Sequence, residues 1–249
     1  MIGINIDFSR AFDCINHSIL YDKLDNIGVR GKILDFSRNY FTNRKQTTFY
    51  NSCYSETKDI NTGVIQGSNL GPILFCIYAA DIINSCEHLE FESFADDTNG
   101  TLAGENLTIV CLKLIDELEN IKRWVIANEM GLNLDKTTYM IFTKSAPPDS
   151  TVPIYLRMNF DFIPIKRASS TKFLGVIIDE RLKWDHHIRN VCVKVSKVCG
   201  IIYQIRKKIT AEALKAIYYS LVYPHLIYCI SVWGGTFQDH FKNLQISKT

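Results

Sequence analysis

Phe94-Ala95-Asp96-Asp97 is the stretch of this chain that decides the fold. It lies between two runs, 89–95 and 98–103, that have the composition of β-hairpin arms, with the acidic pair at the tip. Asp tolerates tight turns, so an Asp-Asp pair is most often an ordinary solvated turn. The other interpretation is a metal site, because carboxylates are hard oxygen ligands. An acidic residue far upstream favours the metal site.

That residue is Asp7, which follows an alternation of apolar and polar side chains. Ile2, Ile4 and Ile6 share one face of a predicted strand, and Asp7 falls on the other face at its end. Asn16 is then a suitable N-cap for a predicted helix. A carboxylate at a strand end beside a carboxylate hairpin indicates two divalent cations about 4 Å apart, the arrangement that holds the attacking and leaving oxygens in phosphoryl transfer.

Five blocks of sequence carry a resemblance to a known family. In chain order they are Asp7-Phe8-Ser9-Arg10-Ala11-Phe12-Asp13, Gly63-Val64-Ile65-Gln66-Gly67-Ser68-Asn69-Leu70-Gly71-Pro72, Phe94-Ala95-Asp96-Asp97, Gly131-Leu132-Asn133-Leu134-Asp135-Lys136-Thr137 and Phe173-Leu174-Gly175. Their order and spacing resemble those of reverse transcriptases from non-LTR retrotransposons, with the jockey-like LINE elements of animals most similar. Residues 211–234 resemble the segment that follows in those elements. One block alone is weak evidence, whereas the ordered set is specific.

The resemblance implies a two-magnesium polymerase centre. By it, Asp7 and Asp96 look like the ligands of both Mg²⁺ ions, and Asp97 is a nearby carboxylate that supports the site. The Phe8 carbonyl would complete the shell. Lys136 matches a basic residue near the leaving pyrophosphate, where it would donate a proton or stabilise charge. The competing interpretation of a lone Lys is a solvated surface residue.

The resemblance also assigns substrate-binding residues. Phe12 matches the aromatic residue that stacks under the incoming sugar and excludes a 2′-hydroxyl by clash, which implies a preference for deoxynucleotides. Gln66 and Gly67 match the segment against the nascent base pair and template, where a small residue permits close backbone approach. The competing interpretations are a core ring for Phe12 and a plain loop for Gln66-Gly67. Asp13 is expected to bond the N-terminus of the following helix.

The predicted fold is α+β, with a polymerase palm over residues 1–182 in which helices pack on one face of an antiparallel sheet. Helices are expected near 31–41, 70–84 and 108–130, the last capped by Thr108, with a hairpin between 47 and 60. A loop is predicted at 145–150 and short strands near Ile154 and Phe160. A mostly helical, basic, thumb-like region follows over 183–249, and a fingers region is expected to be absent from the chain.

Charge is distributed unevenly along the 249 residues. Residues 1–165 carry 14 Lys/Arg against 21 Asp/Glu, whereas residues 166–249 carry 14 against 5. This asymmetry predicts a polyanionic partner for the C-terminal part. A basic helix face should hold the candidate nucleic-acid contacts, which are Arg189, Lys194, Lys197, Arg206, Lys207 and Lys208. A solvated amphipathic helix is the competing interpretation of that face.

The eight cysteines form no Cys-x-x-Cys pair, and we expect reduced thiols in an intracellular protein, nuclear or cytoplasmic. His186-His187 is interpreted as a solvated helix start, because adjacent helical residues point in different directions and would not share a metal. No apolar run approaches the roughly 20 residues that a membrane span requires, so no membrane association is expected.

The resulting hypothesis is an RNA-directed DNA polymerase that extends a DNA primer on an RNA template with dNTPs, using two Mg²⁺ ions. Because a fingers region is expected to be missing, we interpret the chain as a fragment with weak or no activity in isolation. The alternatives are an inactive truncated copy that acts at most as a nucleic-acid-binding module, and a metal-dependent phosphatase or nuclease. The oligomeric state is left open.

Overall fold

The computed structural model describes residues 1–143, 152–158 and 161–235. The loop predicted at 145–150 and the strand predicted near Phe160 lie outside these residues. Within them the chain divides into two compact units. The first comprises Met1–Ile141 with the described residues between 152 and 167, and the second comprises the described residues from Ala168 onward with Phe142 and Thr143.

The first unit is a sheet with helices packed against it. Its helices are α1 His17–Asn26, α2 Lys32–Phe41, α3 Gly71–Ala79, which continues as a 3₁₀-helix over Ala80–Asn84, and α4 Leu107–Ala127. Its strands are β1 Ile2–Ile6, β2 Phe8–Ser9, β3 Lys45–Gln46, β4 Phe49–Tyr50, β5 Cys53–Tyr54, β6 Lys58–Asp59, β7 Glu90–Phe94, β8 Asp97–Leu102, β9 Gly131–Leu132, β10 Thr138–Ile141, β11 Tyr155–Met158, β12 Asp161–Pro164 and β13 Lys166–Arg167.

Five of these strands form the main sheet, in the order β13-β10-β1-β8-β7. β1 is antiparallel to both β8 and β10, but β13 runs parallel to β10, so the expected antiparallel sheet is corrected to a mixed one. A parallel neighbour requires a long connection between the two strands. The chain between β10 and β13 provides it and includes the β11–β12 hairpin.

One face of β1 builds the core. Ile2, Ile4 and Ile6 are at most 2% exposed and pack with the buried side chains of α1, α3 and α4. Asn16 caps α1 as predicted, because its side chain accepts hydrogen bonds from the N–H groups of Ser18 and Ile19. The prediction that Thr108 caps α4 was wrong: Asn106 occupies that position, in keeping with the stronger capping preference of Asn over Thr.

A polar cluster ties α1 to α3 and α4. The Lys23 ammonium lies 2.7 Å from a carboxylate oxygen of Asp81, and the Trp124 indole N–H donates to the same oxygen at 2.9 Å. The ammonium also lies 4.7 Å from the centre of the Tyr78 ring. Burial lowers the pKa of Lys23, and the hydrogen bond and charge of Asp81 act in the opposite direction. The cluster holds the helices that support the sheet.

The second unit starts with the hairpin of β14 Ser170–Phe173 and β15 Val176–Asp179. The predicted palm, residues 1–182, includes this hairpin. Its helical part comprises α5 Asp185–Ile205, α6 Ala211–Ile217, a π-helical turn Tyr218–Val222, α7 Tyr223–Ile227 and α8 Ile230–Trp233. The Asp179 carboxylate accepts the N–H groups of Arg181, Lys183 and Trp184 at 2.7–3.1 Å, which orders the turn before α5. None of the described helices is long and apolar enough to span a bilayer.

His187 corrects the interpretation of a solvated helix start. His186 is exposed, but His187 is only 3% exposed and its ring contacts Trp233 edge to face at 5.3 Å. Its Nδ1 lies 3.3 Å from the backbone nitrogen of Ile177 and accepts that N–H. Burial, together with the charge of Lys194, lowers the pKa of His187. All eight cysteines lie in the described part of the chain, and none of them forms a disulfide bond.

Candidate active site

The acidic residues lie at one end of the main sheet because of the register between β1 and β8. These strands pair from Ile2↔Leu102 to Ile6↔Thr98. The pairing ends there; Asp7 and Asp97 are the next residues of the two segments, so the same register continued by one step would set them opposite each other. Directly opposed residues of antiparallel strands have Cα atoms about 4.5–5.5 Å apart and project to the same face. Two residues separated by 90 positions in the chain therefore lie at the same end of the sheet.

Asp96 lies in the two-residue turn that joins β7 to β8. The turn follows directly from the pairing Phe94↔Asp97. Ala95 occupies its first position with φ 54°, and the φ of Asp96 at the second position is not positive. This combination is typical of a type II′ turn. Glycine is the usual residue at that first position, so Ala95 holds a strained conformation. The turn presents the exposed Asp96 carboxylate beyond the end of β8.

The backbone of Asp7 is held by the turn at 133–137. The Asn133 N–H donates to the Asp7 carbonyl at 2.8 Å, and the Asp7 N–H donates to Oγ1 of Thr137 at 3.3 Å. Thr137 is 2% exposed. The same turn carries Lys136, whose side chain is exposed and whose N–H donates to the Asn133 carbonyl. Lys136 is therefore brought to the end of the sheet where Asp7 and the hairpin tip lie.

The Phe8 carbonyl remains available next to Asp7. β2 pairs with β9 through Phe8↔Leu132 and Ser9↔Gly131. The hydrogen bond from Asn133 N–H to the Asp7 carbonyl makes Phe8↔Leu132 a non-hydrogen-bonded pair, so the Phe8 carbonyl is directed away from β9. Within the described residues β9 is the only strand that pairs with β2. The Phe8 carbonyl oxygen therefore accepts no hydrogen bond from β9.

The donor set is suited to a hard cation, although it is not a closed cage. Aspartate carboxylates and a backbone carbonyl are the oxygen ligands that Mg²⁺ prefers. In the part of the chain that the structure describes, no three Asp, Glu, His or Cys side chains lie close enough to form a ready-made metal site. Asp7 directly follows β1, Asp97 begins the neighbouring β8, and Asp96 lies in the adjoining turn.

Phe12 and Gln66 belong to two segments that pack together. The Phe12 ring is half-buried and stacks on Phe75 with centroids 4.8 Å apart. The Val64 N–H donates to the Phe12 carbonyl at 2.8 Å, and the exposed Gln66 amide donates to Asp13 at 3.1 Å. Asp13 was expected to bond the start of α1; Asn16 fills that role, and Asp13 binds Gln66 instead. Gly67 is exposed, with φ 80°.

The candidate nucleic-acid contacts lie in the second unit. Arg189, Lys194 and Lys197 are exposed on α5, whose opposite side buries Ile188, Val191 and Val195. The helix ends at Ile205, so the three remaining cations follow it in a turn, where all are exposed. They are Arg206, Lys207 and Lys208. The Arg206 guanidinium lies 3.5 Å from the centre of the Tyr203 ring.

The sequence interpretation missed three residues of the first unit. Asn133 and Thr137 position Asp7, and both lie inside the block from which Lys136 alone was assigned a role. Asn99 lies on the same face of β8 as Asp97, and its amide nitrogen is buried without a hydrogen-bond partner among the described residues. The sequence signal for Asn99 was a polar side chain two positions after Asp97, which places both on the same face of the predicted strand.

Comparison with known proteins gives the family. The sequence profile of "Reverse transcriptase (RNA-dependent DNA polymerase)" matches residues 1–178. The chain is 25% identical over 249 residues to the probable RNA-directed DNA polymerase from transposon X-element of Drosophila melanogaster, covering 96% of this chain and 26% of that protein. It is 24% identical over 252 residues to the RNA-directed DNA polymerase from mobile element jockey of Drosophila funebris, covering 97% and 27%. The chain thus spans about a quarter of the length of these relatives.

Solved structures agree on the fold. Telomerase from Candida albicans, in complex with a TWJ fragment of telomeric RNA, matches with a TM-score of 0.50 and 12% identity, covering 99% of this chain and 46% of that one. Apo telomerase from Candida tropicalis matches with the same score and identity, covering 99% and 45%. At this identity the similarity concerns the fold alone.

Proposed function

This chain belongs to the reverse transcriptase (RNA-dependent DNA polymerase) family, and we propose that it carries the nucleotidyl-transfer centre of an RNA-directed DNA polymerase from a non-LTR retrotransposon. In this reaction the 3′-hydroxyl of a DNA primer displaces pyrophosphate from a dNTP that pairs with an RNA template. The first unit would be the polymerase palm. The helical part of the second unit would be a thumb-like surface for the nucleic acid.

The register of β1 against β8 carries the proposal. Continued by one residue, this register would set Asp7 opposite Asp97, with Asp96 in the adjoining turn. Like charges directly opposed across two strands destabilise a sheet. If these carboxylates had no function, replacing one of them with a neutral residue would increase the stability of the fold. Carboxylates that converge at a strand end are what a phosphoryl-transfer centre requires.

The chemistry of the donors fits magnesium. Asp7, Asp96 and Asp97 would hold the two ions, and the Phe8 carbonyl, which the sheet leaves available, would complete their ligands. When bound, the ions would favour the ionised primer hydroxyl and offset the charge that develops on the leaving pyrophosphate. The protein's own part is to hold the donors at one edge, and Asn133 and Thr137 do this for Asp7 through its backbone.

Phe12, Gln66 and Lys136 would act on the nucleotide. The Phe12 ring has little freedom to move aside because it stacks on Phe75, so it would exclude a 2′-hydroxyl by clash. Gln66 and Gly67 would lie against the nascent base pair. Lys136 would place a cation near the leaving group, in a turn that is fixed to Asp7 through Asn133.

The nucleic acid would be bound through its phosphates. The exposed cations of α5 and of the turn after it supply a basic surface, which gives affinity that weakens with salt. This surface supports a polyanionic ligand.

Primer extension on an RNA template tests the proposal. The unaltered chain should extend a DNA primer with dNTPs and Mg²⁺, and Asp96→Asn should reduce extension by about 10²-fold or more, the usual effect of removing a charge-stabilising group. Asp116→Asn is the matched control, since Asp116 is an exposed aspartate of α4, away from the sheet end. Equal extension by the parent and Asp96→Asn would refute the assignment.

The comparisons do not favour an inactive nucleic-acid-binding module, because the relatives bear the names of RNA-directed DNA polymerases. The module would still be identified if the chain bound RNA with a strong salt dependence and incorporated no nucleotide. A phosphatase or nuclease would instead release phosphate or fragments without primer growth.

A further inference from the structure

Two segments of the first unit, 12–17 and 63–66, are joined by a dense set of hydrogen bonds. The Gly63 N–H donates to the Ile15 carbonyl and the Val64 N–H to the Phe12 carbonyl, each at 2.8 Å. Nε2 of His17 donates to the Gly63 carbonyl at 2.8 Å, and its ring stacks on Phe41 at 4.3 Å. The segment that carries Gln66 is therefore held against the segment that carries Phe12.

The contact is too close for a side chain at Gly63. A Cβ atom there would lie 2.9 Å from the backbone of both Phe12 and Asp13, and the φ of 87° is one that L side chains rarely adopt. Backbone cannot move aside as a flexible side chain can, so the two segments lie at a fixed distance.

The Asp13 carboxylate then determines how Gln66 is presented. It accepts a hydrogen bond from Nε2 of Gln66 at 3.1 Å. A carboxylate only accepts, so the NH₂ side of the amide faces Asp13 and the amide oxygen is turned away from it. Asp13, His17 and Gln66 line one open groove of about 1200 Å³, so the amide stands where a ligand has room to enter.

We propose that Asp13 is a positioning residue for Gln66 and that, with His17, it joins the Phe12 and Gln66 segments into one nucleotide-recognition unit. This inference rests on the proposed polymerase function and deepens it. Selection of the sugar by Phe12 and contact with the base pair by Gln66 are then coupled through Asp13, which follows Phe12 in the chain and bonds Gln66. Loosening Asp13 from Gln66 lets the 63–66 segment open and relaxes the clash that rejects a ribonucleotide.

The test compares Asp13→Ala with Asp13→Asn. Ala removes the acceptor, whereas the Asn side-chain carbonyl still accepts from Gln66. Asp22→Ala is the control, because Asp22 is an exposed aspartate of α1 outside this contact. Hydrogen–deuterium exchange of residues 63–66, measured without nucleotide, reports the contact, and the ratio of dNTP to rNTP incorporation efficiency reports its consequence.

Asp13→Ala should speed exchange at Gly63 and Val64 about fivefold and lower the dNTP/rNTP ratio by a similar factor, since one exposed hydrogen bond shifts a local opening equilibrium by about that much. Asp13→Asn and Asp22→Ala should match the parent in both. Unchanged exchange in Asp13→Ala overturns the positioning role, and faster exchange with an unchanged ratio overturns the coupling. If Asp96→Asn extends a primer as well as the parent does, the proposed function fails, while the exchange measurement alone still decides whether Asp13 positions the segment.

Discussion

Asp97→Asn should stabilise the fold when no divalent cation is present. The substitution keeps the size of the side chain and its place in β8, but removes one of the two charges that the register sets opposite each other. Asp97 is exposed and Asp7 is half-buried, so water screens the pair only in part. The variant is expected to be more stable than the parent in a chelating buffer and to lose stabilisation by magnesium.

The magnitude follows from the cross-strand geometry. Two like charges about 5 Å apart repel by roughly 0.8 kcal/mol at the dielectric constant of water, and measured like-charge pairs across strands destabilise by about 0.2–1 kcal/mol. Asp97→Asn should therefore raise the unfolding midpoint by about 1–4 °C for a chain of this size. At 1 M salt the Debye length falls to about 3 Å, and most of this gain should vanish.

Thermal unfolding with EDTA at low and high salt, and then with millimolar Mg²⁺, measures these effects. Magnesium should raise the midpoint of the parent, because an ion that binds only the folded state stabilises it, and should raise that of Asp97→Asn less. Glu92→Gln is the matched control: it removes a charge from the same hairpin, but Glu92 lies opposite Asn99 rather than an acid. A lower midpoint for Asp97→Asn in EDTA at low salt, or equal magnesium shifts in both proteins, would refute the reasoning.

Three further substitutions test features of the two units. Gly63→Ala should cost about 1–3 kcal/mol of unfolding free energy, more than Gly28→Ala, because Gly28 shares the positive φ but has open space around it; equal losses in denaturant titrations would contradict the close packing. Ala95→Gly should raise the unfolding midpoint by relieving about 1 kcal/mol of backbone strain at φ 54°, and a lower midpoint would show that the turn is unstrained. Burial and Lys194 lower the pKa of His187 below its ordinary 6.5, so the unfolded chain binds more protons and stability should fall as the pH drops below about 6.5. His187→Gln, which can still accept the Ile177 N–H, should weaken that fall, whereas the exposed His186→Gln should not; identical pH profiles for the parent and His187→Gln would exclude the effect.

The features that sequence predicted well depend on local chemistry. The hairpin around Asp96 was predicted from the composition of its two arms, although its turn is Ala95-Asp96 rather than the acidic pair, and the cap at Asn16 follows from a side chain that bonds its own helix start. Both are decided within a few residues of the chain. The same rule, applied more strictly, would have selected Asn106 over Thr108, because Asn is the stronger cap.

The features that sequence missed depend on distant partners. β13 pairs parallel to β10 because of where the chain returns after β12, which no short pattern encodes. His187 is buried because Trp233 covers it, and Asp13 bonds Gln66 rather than α1 because the 63–66 segment lies against it. In each case a local preference was overridden by a tertiary contact from more than 25 positions away.

The position of Asp7 shows how a local pattern and a distant contact combine. The alternation of isoleucines in β1 does not by itself fix the register of β1 against its neighbouring strands. A slip of one residue, however, would move Ile2, Ile4 and Ile6 to the solvent face. Each of these side chains is at most 2% exposed. Exposing all three would cost roughly 5–9 kcal/mol, which is comparable with the whole stability of a domain. The same slip would turn Asp7 into the core, so the apolar face that stabilises β1 also fixes the carboxylate opposite the hairpin tip.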